Sequence, residues 1–148
     1  MAARDFVLDA SLLVAGIRPG ERFYDDARTA LEILTRQRAN LFVPSILFAE
    51  IAAAIARGSG STDQAARDVQ IVRRLAGLQI IAVDEALAGL AAGVAAHQRI
   101  RGCDAVYVAL AQKRNAILIT LDNEQRLRAP AAVVTWTPGE LLANWSSA

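Results

Sequence analysis

Two short apolar runs, each closed by an aspartate, constrain this chain more than any other feature. Phe6-Val-Leu-Asp-Ala-Ser11 leads at once into Leu-Leu-Val-Ala-Gly, and Ala116-Ile-Leu-Ile-Thr-Leu121 ends in Asp122. Apolar runs of this length, bounded by a polar residue, suit buried strands. The helical spacing that follows the first run puts Asp9 at a strand's carboxyl end. In open α/β sheets that edge is where ligands bind, so two strands deliver two carboxylates to one place.

The remaining chain alternates in the same way. After a short helix, Arg18-Pro19-Gly20 reads as a turn. Glu21 to Arg38 then sets Phe23, Ala27, Ala30, Leu31 and Leu34 on one helical stripe that should pack inward. Leu41-Phe42-Val43 makes a brief strand, and Pro44 suits the first turn of a helix to about Arg57. Past the Gly-Ser connection, Ser61 and Gln64 form a capping-box signature for a helix to about Ala76, with the stripe Ala65, Val69, Val72, Ala76. Gln79 to Val83 reads as a strand, Asp84-Glu85 opens an alanine-rich helix ending near His97, and a further helix runs from Asp104 to Arg114. Val133 to Trp136 is a last strand and Pro138 to Trp145 a last helix. Strands alternating with helices predict a single α/β domain: a mostly parallel central sheet of about five short strands with helices on both faces.

Composition narrows the function classes. The 148 residues are 54% hydrophobic, enough for a real core, and 16 basic against 15 acidic residues leave a net charge of +1. Nucleic-acid affinity would therefore come from local patches and not from an overall field. One cysteine, Cys103, and one histidine, His97, exclude an internal disulfide and a Cys/His zinc site. A reduced, cytoplasmic setting is the default. The longest apolar stretch, Leu41 to Ala56, is broken by Pro44 and Glu50 and falls short of the ~20 residues a membrane helix needs.

Most acidic residues lie near helix starts, where the helix dipole favours negative charge. Glu50 does not. It is the only charged residue between Arg38 and Arg57, and its helical neighbours are Ile46, Leu47, Ala53 and Ala54. A carboxylate on such a face is costly unless something compensates it. Asp9, Asp104 and Asp122 each precede a helix start, so each alone reads as an N-cap. Two strand-end aspartates and a helical glutamate in an apolar setting nonetheless converge on one acidic cluster, which needs a cation. Carboxylates without histidine or thiol suit Mg²⁺ or Mn²⁺, and the natural chemistry is metal-assisted attack on a phosphoryl group.

At these residues the chain resembles the PIN-domain nucleases, and most of all the small VapC-type toxins of prokaryotic toxin–antitoxin pairs. The opening motif is Val7-Leu8-Asp9-Ala10-Ser11, and the glutamate after a strand and proline is Glu50. The most specific match is Asp104-Ala-Val-Tyr-Val-Ala-Leu-Ala111, and the late strand with Thr-x-Asp is Thr120-Leu121-Asp122. The resemblance implies a PIN-like three-layer sandwich and a ribonuclease in which Asp9, Glu50, Asp104 and Asp122 hold one or two Mg²⁺ or Mn²⁺ ions, with Ser11 and Thr120 as supporting hydroxyls. It also implies a homodimer and a cognate antitoxin that covers the acidic site. Departures from the family pattern are small: Cys103 stands where a larger residue often precedes the third acid, and Asn123-Glu124 follows the fourth, which leaves Asp122 the least secure ligand.

Several signals point elsewhere. Gly58-Ser-Gly-Ser-Thr-Asp63 follows a helix instead of a strand and is a loop, not a dinucleotide cradle. Arg99, Arg101, Lys113, Arg114, Arg126 and Arg128 flank the acids in sequence as a basic rim that could grip RNA phosphates. Tyr107 and Trp136 read as core. A phosphotransferase of the haloacid-dehalogenase or receiver type needs a lysine after a late strand, whereas the only lysine, Lys113, lies within a helix. An inactive PIN-like binding module would not need all four acids. A housekeeping RNA-processing nuclease shares the toxin's chemistry and is separated from it here only by the chain's small size.

Overall fold

Val7, Leu8, Leu118 and Ile119 have no exposed surface although successive strand residues point to opposite faces, so the middle of the sheet is covered on both sides. The computed structural model describes residues 4–145. Its strands are β1 (Asp5–Leu8), β2 (Asn40–Pro44), β3 (Leu78–Ile81), β4 (Ile117–Ile119) and β5 (Thr135–Trp136). They form one sheet in the order β3-β2-β1-β4-β5, with every pair parallel. The chain runs outward from β1 through β2 to β3, then returns to the other side of β1 for β4 and β5. That reversal creates a crevice at the carboxyl ends of β1 and β4, the switch point at which α/β sheets bind ligands.

The helices are α1 (Ala10–Ile17), α2 (Tyr24–Arg36), α3 (Leu47–Ser59), α4 (Thr62–Arg73), α5 (Glu85–Gln98), α6 (Gly102–Arg114), α7 (Asn123–Arg128) and α8 (Pro138–Trp145). One group joins α1, α2, α3, α4 and α8; in the other, α5 packs on α6, which lies across β1, β2 and β4. Every residue of α6 from Asp104 to Ala111 is buried. Its run of alanines and valines around Tyr107 and Leu110 allows close approach on all sides, as a helix without a polar face requires. Each large apolar side chain buried this way contributes about 1.5–3 kcal/mol.

The sheet and its covering agree with the α/β architecture expected from the sequence, and the differences have local causes. Pro44 is the last residue of β2, in register with Ile81, and α3 starts only at Leu47. The strand continues because the next amide, that of Ser45, donates to Ile81 O at 2.8 Å. Helix α2 begins at Tyr24 instead of Glu21, so Phe23 sits at its N-cap and is exposed instead of joining the inward stripe. Ser61 does cap α4 through its hydroxyl, but Gln64 turns away to Asp68 instead of closing the capping box. Helix α4 stops at Arg73, leaving Ala76 exposed, and buries Asp68 beside the expected stripe. Helix α6 starts two residues before Asp104, and the helix expected after Asp122 is α7, which Asp122 caps. Among the described residues no helix is long and apolar enough to cross a membrane.

Candidate active site

Parallel pairing of β1 with β4 puts Asp9 and Thr120 side by side one step beyond the paired strands, and the Asp9 amide extends the ladder by donating to Ile119 O at 3.0 Å. The Asp9 carboxylate is buried. Its Oδ2 accepts from the Ser11 amide at 3.0 Å, the Ser11 hydroxyl at 2.5 Å and the Thr120 hydroxyl at 3.2 Å. Ser11 Oγ also accepts from the Leu121 amide at 2.9 Å, tying the start of α1 to the end of β4. Asp9 is thus both the N-cap of α1 and a lining residue of the pocket, in one orientation. Asp122 behaves alike, its Oδ1 accepting from the Gln125 amide at 2.9 Å as the cap of α7.

Asp104 does not cap. As the third residue of α6 it is carried into the same pocket, where Gln125, fully buried on α7, bridges it to Asp9. Gln125 Nε2 donates to Asp9 Oδ1 at 2.8 Å and to Asp104 Oδ1 at 3.1 Å. Its own Oε1 is buried without a partner. The amide supplies the donors that two adjacent buried carboxylates require when no cation lies between them. Arg101 completes the arrangement: Nε donates to Asp104 Oδ2 at 2.8 Å, Nη2 to Asp122 Oδ2 at 2.9 Å, and Glu124 Oε2 lies 3.0 Å from Nε.

Glu50, expected deeper in its helix, lies in the first turn of α3 because that helix starts only at Leu47; it reaches the pocket and accepts a hydrogen bond from the Tyr107 hydroxyl. Burial pushes its carboxyl above the usual range, Tyr107 opposes this, and Asp9 and Asp104 add to it. Burial likewise raises Asp104, with Arg101 opposing and Asp9 and Asp122 reinforcing. Tyr107 is raised strongly, by burial first and then by the surrounding carboxylates, so its hydroxyl stays protonated and donates. Tyr107 is core, as expected, and also part of the site.

The four acids line one pocket of about 880 Å³, whose wall beyond them carries Val14, Ile46 and Ala53 together with Arg22, Phe23 and Arg57. The Arg22 guanidinium lies 5.0 Å over the Phe23 ring. The basic rim inferred from sequence is partly misplaced. Lys113 and Arg114 are in the last turn of α6, about 14 Å along the helix from Asp104, and Arg114 stacks on Phe42 at 4.5 Å. Of that set, Arg101 alone lines the pocket. Arg22 and Arg57 escaped sequence reading because helix-end arginines are usually solvated. Gln125 escaped because a neutral amide carries no charge signal; its spacing three residues after Asp122, matching a cap, was the one available clue.

The donor set is all oxygen, which fits Mg²⁺ or Mn²⁺ in kind. Among the described residues, however, no three His, Cys, Asp or Glu side chains stand as a ready-made metal cage. Their oxygens meet side-chain donors: Gln125 bridges Asp9 and Asp104, Arg101 spans Asp104 and Asp122, and Tyr107 donates to Glu50.

A parallel sheet with an acidic pocket at its switch point defines the class, an α/β domain in which carboxylates gather around one crevice. Within that class, the PIN domain family matches residues 6–130, and the chain belongs to this family. No curated protein sequence matches it. Similar solved structures include FitAcB from Neisseria gonorrhoeae, with TM-score 0.70 and 18% identity over 92% of this chain and 99% of that one. VapBC2 from Rickettsia felis, bound to a DNA fragment from its promoter, has TM-score 0.69 and 17% identity over 90% and 98%. VapC20 from Mycobacterium tuberculosis, a sarcin-ricin loop cleaving toxin, has TM-score 0.69 and 16% identity over 87% and 96%. At these identities the likeness is one of fold.

Proposed function

We propose that this PIN-domain chain is an Mg²⁺- or Mn²⁺-dependent endoribonuclease, the toxin of a toxin–antitoxin pair. The observation that carries the reading is the convergence of Asp9, Glu50, Asp104 and Asp122 on one pocket at the sheet's switch point. The ion, when bound, supplies activation of water and stabilisation of charge developing on a phosphodiester. Asp9, Glu50, Asp104 and Asp122, which line the pocket together, would hold it. Ser11 and Thr120 fix the rotamer of Asp9 through its Oδ2. Tyr107 keeps Glu50 directed toward the other acids and pays part of its desolvation. On the pocket wall, Arg22 and Arg57 suit phosphate contacts and the exposed Phe23 ring suits base stacking.

The toxin assignment rests on the similar structures, several of which are complexes of a VapC-type chain with its antitoxin. By that analogy the chain is a cytoplasmic, single-domain homodimer neutralised by a small cognate antitoxin. Purified protein incubated with structured RNAs and Mn²⁺ should cleave, and a chelator should abolish cleavage; cleavage that persists in chelator would overturn the mechanism. Expression alone should slow growth, with relief on co-expression of an adjacent antitoxin; unimpaired growth with active enzyme would assign it to RNA processing instead.

A further inference from the structure

The acids of this pocket are held by two residues of unlike character. Gln125 is fully buried and grips Asp9 Oδ1 and Asp104 Oδ1 with its side chain and Asp122 Oδ1 with its amide. The Arg101 side chain is 63% exposed and takes the other oxygen of each of two acids, Oδ2 of Asp104 and Oδ2 of Asp122. The oxygens that Gln125 leaves free on those two residues are therefore the ones Arg101 covers. Among the described residues, Arg101 is also the only cationic side chain paired with any of the four acids. Gln125 is a fixed frame; Arg101, at the solvent side, is the part that can leave.

We propose, on the basis of the metal-site reading above, that Arg101 is a resident counter-ion: it closes Asp104 and Asp122 together while the site is empty and competes directly with the divalent ion for their outer oxygens. Entry of the ion requires the guanidinium to give up those two contacts. Glu124 provides its resting place, since it already lies 3.0 Å from Nε and is itself held 3.5 Å from Arg128 Nη1. Glu124 thus tunes the competition without contacting Asp9, Asp104 or Asp122 in the hydrogen-bond network. The guanidinium holds one oxygen of Asp104 and one of Asp122, the same atoms an ion bound between the two residues would need. Once displaced, a guanidinium at the pocket wall has the planar donor geometry that suits a phosphate of the substrate strand.

Arg101 here is a positioning residue, and its test reads ion binding and metal-free stability, not turnover alone. Mn²⁺ affinity is measured by calorimetry, and melting with and without Mn²⁺, for wild type, Arg101→Gln, Arg101→Lys and Glu124→Gln at neutral pH. Arg101→Gln should lower the metal-free Tm yet bind Mn²⁺ roughly fivefold tighter or more, the scale of exposed charge-assisted contacts, so that its Tm deficit narrows when Mn²⁺ saturates. Arg101→Lys keeps the charge but cannot span two carboxylates, and should also bind more tightly than wild type. Glu124→Gln removes the resting place and should weaken binding by about twofold to threefold. Arg101→Lys matching wild type while Arg101→Gln binds tighter would mean that only the local field matters, and would overturn the competition. Arg101→Gln binding no tighter than wild type would overturn it as well. Wild type and every variant failing to bind Mn²⁺ would instead refute the metal-site reading, and the inference with it.

Discussion

Asp9 and Asp68 are equally buried, at 4% and 3% exposure, yet the regions around them differ in every other respect. Asp9 lies at the sheet's switch point with Asp104, Asp122 and Glu50 lining the same pocket, and both its oxygens accept hydrogen bonds. Asp68 sits alone on α4: Oδ1 accepts from Gln64 at 2.7 Å, Arg18 lies 3.9 Å from Oδ2, and Oδ2 has no hydrogen bond. Burial of a carboxylate therefore does not by itself mark a site. Like charges brought together, with neutral donors arranged to tolerate them, do so, because nothing in folding alone rewards that arrangement.

Substitutions separate the two regions most sharply through activity. Asp104→Asn keeps the shape and should reduce RNA cleavage by roughly 10²–10³-fold, the scale of losing one charge-stabilising group in an active site. Asp68→Asn should leave cleavage at the wild-type level, measured on the same RNA at saturating Mn²⁺. Stability should order the other way for the frame residue: Gln125→Leu leaves Asp9 and Asp104 without their shared donor and should cost about 2 kcal/mol in denaturant unfolding without metal. Asp68→Asn should cost about 1 kcal/mol or less, since one hydrogen bond and one long ion pair are at stake.

Much of this was legible in the chain and some was not, for physical reasons. Apolar runs closed by aspartates announced β1, β4 and their shared edge, because burial on both faces leaves no choice of residue type. The signal for Asp104 was ambiguous, since a helix start and a site residue carry the same letter; the two-residue extension of α6 turned an expected cap into a pocket residue. Phe23 looked like core because periodicity cannot see that a helix begins three residues late. Gln125 and Asp68 were invisible for opposite reasons, one a neutral residue that serves charges and the other a charge within an ordinary polar face. Arg101 was placed correctly beside the acids but for a different task, since sequence gives proximity and not the partner chosen.

The smallest expected effects concern protons. Burial raises the carboxyls of both Glu50 and Asp104, so the folded chain holds protons there that the unfolded chain releases from about pH 4 upward. The sign follows: these groups add to metal-free stability at acid pH and that contribution is lost as pH rises through their raised values. Metal-free Tm of wild type relative to Glu50→Gln should therefore decline with increasing pH from 4 toward neutrality. Tyr107→Phe removes a donor to the charged form of Glu50 and should move the acid limb of the cleavage profile to higher pH, whereas a purely structural tyrosine would change only stability.

The claim that the clustered acids form a divalent-ion site is tested most directly by melting wild type, Asp9→Asn and Asp68→Asn with and without Mn²⁺ at neutral pH. Asparagine caps a helix about as well as aspartate, so the cap at α1 is kept and does not obscure the result. Wild type and Asp68→Asn should gain stability with Mn²⁺ to the same extent, and Asp9→Asn should gain little or none. Equal Mn²⁺ shifts in all three proteins, or no shift in wild type, would contradict the assignment.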